Sequence, residues 1–165
     1  MNDTCKKRAT KAFVYFCKNL GIDRDKVVLR FVDPDKLNEN EGVENVYGDT
    51  ETLACVDMPA GGRKRYYVSI SNREGINDDM IVESVAHELV HVKQHMDKRL
   101  VCYGTNDVDM SYEFEGVKHN TFLDHDDYLS APWEVEARVN SRGMVVEFNR
   151  YMRDNGARRV TKKVV

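Results

Sequence analysis

In the segment Ser84–Gln94 (SVAHELVHVKQ), His87 and His91 stand four residues apart, with Glu88 directly after the first. On an α-helix this spacing projects both imidazoles from one face, one turn apart. Their nitrogens can then share one tetrahedral zinc at roughly 2.0–2.1 Å. Glu88 lies about 100° around the helix from His87. That position is poor for a third ligand but good for a general base acting on a metal-held water. The chemistry this predicts is hydrolysis with Zn2+ as cofactor, His87 and His91 as ligands, and Glu88 as the catalytic base.

A catalytic zinc needs a third protein ligand and an open fourth position. His95 shares the histidine side of the helix, but one further turn puts it too far along the axis to join both neighbours. It is expected to be a supporting or surface residue. The remaining candidates are His119, His125, the Asp124–Asp127 cluster, Glu134 and Glu136. The two glutamates sit in Pro132–Asn140 (PWEVEARVN) and are about 200° apart on a helix, so only one can face the metal. Tyr128, His125 and His119 are candidates for stabilising the charge that develops on a substrate carbonyl, with Tyr128 favoured.

The elements that must hold these residues follow from the pattern of apolar positions. Residues Asp3 to Leu20 read as a helix with Phe13, Phe16, Cys17 and Leu20 on its apolar face and Gly21 as C-cap. Lys26–Val32 reads as a short buried strand. Thr52–Asp57 and Arg65–Ser71 read as a hairpin across the turn-rich MPAGGRK, after a polar loop from Asp33 to Asp49. Asn77 or Asp78 then caps a helix to about Met96, with Ile81, Val85, Leu89, Val92 and Met96 as its apolar face. A long irregular acidic segment, Cys102 to Ser130, is expected to hold one short strand near Tyr112–Val117. A last helix opens at Ala131-Pro132, capped by Ser130, and is expected to stop near Asn155-Gly156. This order gives an α+β fold.

Composition sets the frame. The 165 residues suit a single domain, 1–165, with 1–21 an N-terminal helix and 156–165 a basic tail. A charged fraction of 32% with both signs mixed argues against wholesale disorder, and a net charge of -3 gives no overall case for nucleic acid or membrane. Acids dominate from Asp107 to Glu136. Bases dominate from Arg150 onward (Arg153, Arg158, Arg159, Lys162, Lys163), so nucleic-acid contact would have to come through that tail; a solvated helix end is the plainer reading. The cysteines Cys5, Cys17, Cys55 and Cys102 form no CxxC pair, and the N-terminal apolar run Phe13–Cys17 is too short for a signal peptide. A cytoplasmic protein with free thiols is the expectation.

The motifs AHELVHVKQ and PWEVEARVN resemble those of gluzincin-type zinc metallopeptidases, in particular the compact ImmA/IrrE-like and minigluzincin-like domains of phages and bacteria. The resemblance spans about residues 65–150. It implies a zincin-like fold: a small twisted antiparallel or mixed sheet packed on an active-site helix and a C-terminal third-ligand helix. It also implies a peptide or protein substrate held along an edge strand, for which Arg65–Ser71 is the expected counterpart. Glu136-Ala137 matches the family's glutamate-alanine pair, making Glu136 the implied third metal ligand and Glu134 the fallback. Asn140 stands where the family often has an aspartate, and by that match would orient a ligand histidine. Two other functions fit the same residues: a zinc-binding regulatory or DNA-associated protein without turnover, and a zinc hydrolase of a non-peptide amide.

Overall fold

The computed structural model describes residues 1–33, 54–57, 65–103, 111–119 and 125–161. Helix α1 (Asp3–Leu20) starts where the Asn2 side chain accepts from the Cys5 N–H at 2.9 Å, and it ends at Gly21, whose φ of 66° is the left-handed cap expected there. A single 3-10 turn, Arg24–Lys26, leads into β1 (Val27–Val32). Strands β2 (Ala54–Asp57) and β3 (Tyr66–Ser71) follow, then helix α2 (Asp78–Met96), capped by the Asn77 side chain on the Asp79 N–H.

The first sheet has the order β1-β3-β2. β2 and β3 pair antiparallel, with Val56 opposite Val68, as a hairpin requires. β1 pairs parallel to β3 with Leu29 opposite Val68, so the sheet is mixed and β3 is its central strand. The expectation that Arg65–Ser71 forms an edge is therefore corrected. Both of its sides are taken because β1, reached by a long crossover, docks against it in parallel. Burial agrees, since Val68, Ser69, Ile70 and Ser71 are all inaccessible, as a centre strand demands.

The segment read as irregular from Cys102 is more ordered than expected. Strands β4 (Leu100–Tyr103), β5 (Ser111–Phe114) and β6 (Val117–His119) form a second, antiparallel sheet. β5 and β6 meet through the two-residue turn Glu115-Gly116, with φ of 51° and 83°. Positive φ at both positions gives a turn whose twist matches the strands, and glycine takes its half without steric cost. A short helix α3 (His125–Ser130) precedes the long α4 (Pro132–Thr161). Ser130 closes α3 with its hydroxyl on the Asp127 carbonyl rather than capping α4, and Ala131 supplies the first carbonyl of α4, to Val135 N–H. Helix α4 continues through Asn155-Gly156, where a stop was expected, to Thr161; one glycine inside a helix costs only about 1 kcal/mol, too little to end it.

The core lies where α2 packs between α1 and α4 and over the first sheet. Ile81, Val85, Leu89 and Val92 of α2 are buried against Phe13, Phe16 and Cys17 of α1, Val68 and Ile70 of β3, and Phe148 of α4. Phe16 and Phe148 meet edge-on at 5.6 Å between centroids. Arg8 ties the three helices together at the rim through Asp78, Asp79 and Asn149. A second apolar cluster, Leu100, Phe114, Ala131 and Trp133, seats the smaller sheet on the start of α4. Among the described residues Cys5, Cys17 and Cys102 are free, and no helix is long and apolar enough to cross a membrane.

Candidate metal centre

Helix α2 presents His87 and His91 as the spacing requires. Their Nε2 atoms lie 3.0 Å apart and the rings meet edge-on. The third group at this point is Glu134, from the first turns of α4. Its Oε2 is 3.2 Å from His87 Nε2, and its Oε1 is 3.1 Å from His91 Nε2. Three donors bound at roughly 2.0–2.1 Å to one tetrahedral ion would stand about 3.3 Å from one another. The two imidazole nitrogens, 3.0 Å apart and each 3.1–3.2 Å from one oxygen of the carboxylate, are close to that spacing, so the residues fit such an ion.

Glu136 is not brought to the histidines. On the far side of α4, its carboxylate takes two hydrogen bonds from Arg99, at 2.8 and 2.7 Å, in a cluster that includes Glu115. The buried face of α4 decides between the glutamates. Trp133, Glu134, Ala137, Ser141 and Phe148 are all buried, whereas Glu136 turns about 200° away from Glu134. The glutamate-alanine match singles out Glu136, whereas the glutamate beside the histidines is Glu134, on the inward-facing helical phase of Ala137, Ser141 and Phe148.

The residue that orients His91 is also not the expected one. Asn140 is exposed. Gln94, 1% exposed, instead places its Oε1 2.8 Å from His91 Nδ1 and donates from Nε2 to the Trp133 carbonyl at 3.1 Å. The Trp133 carbonyl can only accept, which fixes the amide and leaves Oε1 to accept from His91 Nδ1–H. The neutral ring then carries its lone pair on Nε2, the atom facing His87 and Glu134. Gln94 was missed in the sequence. Seven residues beyond His87, it falls on the same face of the helix, and that phase was the available signal.

Tyr128, on α3, donates its hydroxyl to Glu134 Oε1 at 2.6 Å. Arg138 reaches back from α4 to the Leu129 carbonyl and holds α3 against it. Burial, followed by the charge of Glu134 beside it, pushes the Tyr128 phenol well above its usual range, so it stays a donor. His119 packs edge-on against Trp133 at 5.2 Å, and Tyr112 stacks on the same ring at 5.0 Å. The His125 side chain lies outside the described residues. His95 donates Nδ1–H to the Leu100 carbonyl at 2.8 Å and takes no part in the three-residue cluster.

Charges within the site are strongly coupled. Glu88 is 8% exposed, and burial raises its carboxyl above the ordinary range against the opposing pull of His91 and His87, with Glu134 adding to the rise. For His91 burial works against protonation, but the hydrogen bond and charge of Glu134, with help from Glu88 and Gln94, lift it to about 9. Glu134 resists burial's upward push and is held well below the usual carboxylate range by the hydrogen bonds of His87 and His91. The same negative pocket that favours a proton on His91 favours a metal cation in its place. No protein-family profile, curated protein or solved structure matches the chain.

Proposed function

We propose that the protein is a zinc-dependent hydrolase that cleaves peptide bonds, with His87, His91 and Glu134 holding the ion and Glu88 acting as general base. The observation that carries this reading is that one ligand atom each from His87, His91 and Glu134 lies within 4.8 Å of the others, beside a buried carboxylate, Glu88, that is not one of the three. A purely structural site would close the fourth position and would have no use for that carboxylate. The resemblance of AHELVHVKQ and PWEVEARVN to gluzincin motifs supports the same assignment, with the ligand role carried to Glu134 in place of Glu136.

Zinc bound there supplies Lewis acidity, lowering the pKa of water and polarising a carbonyl. The chain's own residues do the rest. Glu88, made more basic by burial, takes a proton from the attacking water as the new C–O bond forms. It then delivers that proton to the departing amine nitrogen as the C–N bond breaks. Gln94 keeps the His91 proton on Nδ1, and Tyr128 holds Glu134. For an extended substrate, the outer edge of β2 is unpaired among the described residues, and β2 packs directly against α2. Main-chain pairing there would lay a peptide beside the site.

The deciding experiment compares wild type with Glu88→Gln on a peptide library with metal content measured in parallel. Expected are one zinc per chain in both proteins and a 10²–10⁴-fold loss of cleavage in the variant, the usual range for removing a general base. Equal turnover in the two proteins, or wild type without stoichiometric zinc, overturns the reading.

A further inference from the structure

The Glu134 carboxylate straddles the two imidazoles almost symmetrically, Oε1 at 3.1 Å from one and Oε2 at 3.2 Å from the other. A carboxylate placed in this way can grip a cation with both oxygens. Two imidazoles and a chelating carboxylate would fill four positions, so that water could enter only as a fifth ligand. One contact breaks the symmetry, the 2.6 Å hydrogen bond from Tyr128 to Oε1. A phenol proton this close occupies a lone pair of Oε1 and draws charge from it, leaving Oε2 the better donor. The tyrosine is well anchored for the purpose, since α3 is pinned to α4 through Arg138 and the Leu129 carbonyl. Glu134 itself is 3% exposed, so solvent does not compete for its oxygens.

We propose that Tyr128 is a positioning residue that restricts Glu134 to ligation through one oxygen and so keeps the fourth position on the metal open. This deepens the zinc reading above and rests on it. The side chain acts through Glu134 rather than on substrate, and the phenol proton stays on Tyr128 throughout.

The test uses the full chain loaded with Co2+, whose visible bands report coordination number without any turnover. Wild type is expected to give the intense bands of four-coordination. Tyr128→Phe, which keeps the ring, is expected to retain Co2+ with about 10-fold or greater loss of affinity, the scale typical of a lost supporting hydrogen bond. Its bands should weaken and shift towards those of five-coordination as Glu134 swings to chelate. Unchanged bands and affinity in the variant overturn the role of Tyr128 while leaving the metal site standing; no Co2+ binding by wild type overturns both. Should the variant not fold, X-ray absorption at the zinc edge of wild type answers the same question. A single carboxylate oxygen at bonding distance is expected, and a chelating carboxylate refutes the proposal.

Discussion

Gln94 and Trp133 are joined by a buried hydrogen bond from the side-chain amide to the main-chain carbonyl at 3.1 Å, so the group that orients His91 is fastened to the residue preceding Glu134. One amide thus sets the tautomer of His91 on α2 and the approach of α4, which carries Glu134. The two helices are packed together along the core, but packing alone leaves sliding and rotation of a few tenths of an ångström. A directional bond at the site removes that freedom where metal geometry is most sensitive to it.

Replacing Gln94 with leucine, which keeps the bulk and removes both bonds, is therefore expected to weaken zinc about 10- to 100-fold. A competition titration against a chromophoric chelator measures this. The metal-free protein should also lose about 1–3 kcal/mol of stability, because the His91 Nδ1–H loses the buried acceptor it donates to. An affinity equal to that of wild type would show that core packing alone positions the ligands.

The two glutamates of α4 give opposite expectations. Glu134→Gln removes the charged ligand and should abolish stoichiometric zinc in the purified protein, as metal analysis will show. Glu136→Gln should keep the ion and lose only part of its pairing with Arg99. Since both side chains of that pair are partly exposed, at 35% and 26%, the cost is about 1 kcal/mol or less. Zinc retained by the first variant and lost by the second would restore Glu136 as the ligand.

The contrast between these residues shows which features a sequence can disclose. His87, Glu88 and His91 share one helix, so their relation follows from the helical repeat alone, and the apolar face of α2 fixes which side they occupy. Which glutamate reaches the two histidines depends on how α4 rolls against α2, which is a tertiary fact. Two glutamates at i and i+2 present equal chemistry, and only the phase of Ala137, Ser141 and Phe148 separates them. The second sheet escaped for a different reason. Its strands are three or four residues long, too short for an alternating pattern to show, and gain their burial from Trp133, which lies 14 residues beyond His119 at the end of β6. Its local marks were the strand-like run near Tyr112–Val117 and the Glu115-Gly116 turn inside it. The parallel docking of β1 on β3 likewise left no local trace, because a crossover partner cannot be read from strand propensity.

Acid stability should carry the signature of His95. Its ring is largely buried and donates Nδ1–H to the Leu100 carbonyl, and its pKa is pushed down to about 4, first by burial and then by the charge of His91, against the lift of the Leu100 hydrogen bond. The folded pKa lies below the ordinary histidine value of about 6.5. The unfolded chain therefore takes up the proton first as pH falls. The contribution of His95 is fully present above pH 6.5 and is lost progressively down to about pH 4, where the folded state is protonated as well. Linkage sets a ceiling of roughly 3 kcal/mol over this window, and solvent access to part of the ring reduces it to about 2 kcal/mol. Asparagine places an amide donor where Nδ1 stood but does not titrate. Denaturant unfolding of metal-free wild type and His95→Asn from pH 7.5 to 4 should give curves that converge by about that amount as pH falls, because wild type alone loses this increment. Parallel curves would show that His95 takes up its proton equally well in the folded and unfolded chain, and that burial does not hold it neutral.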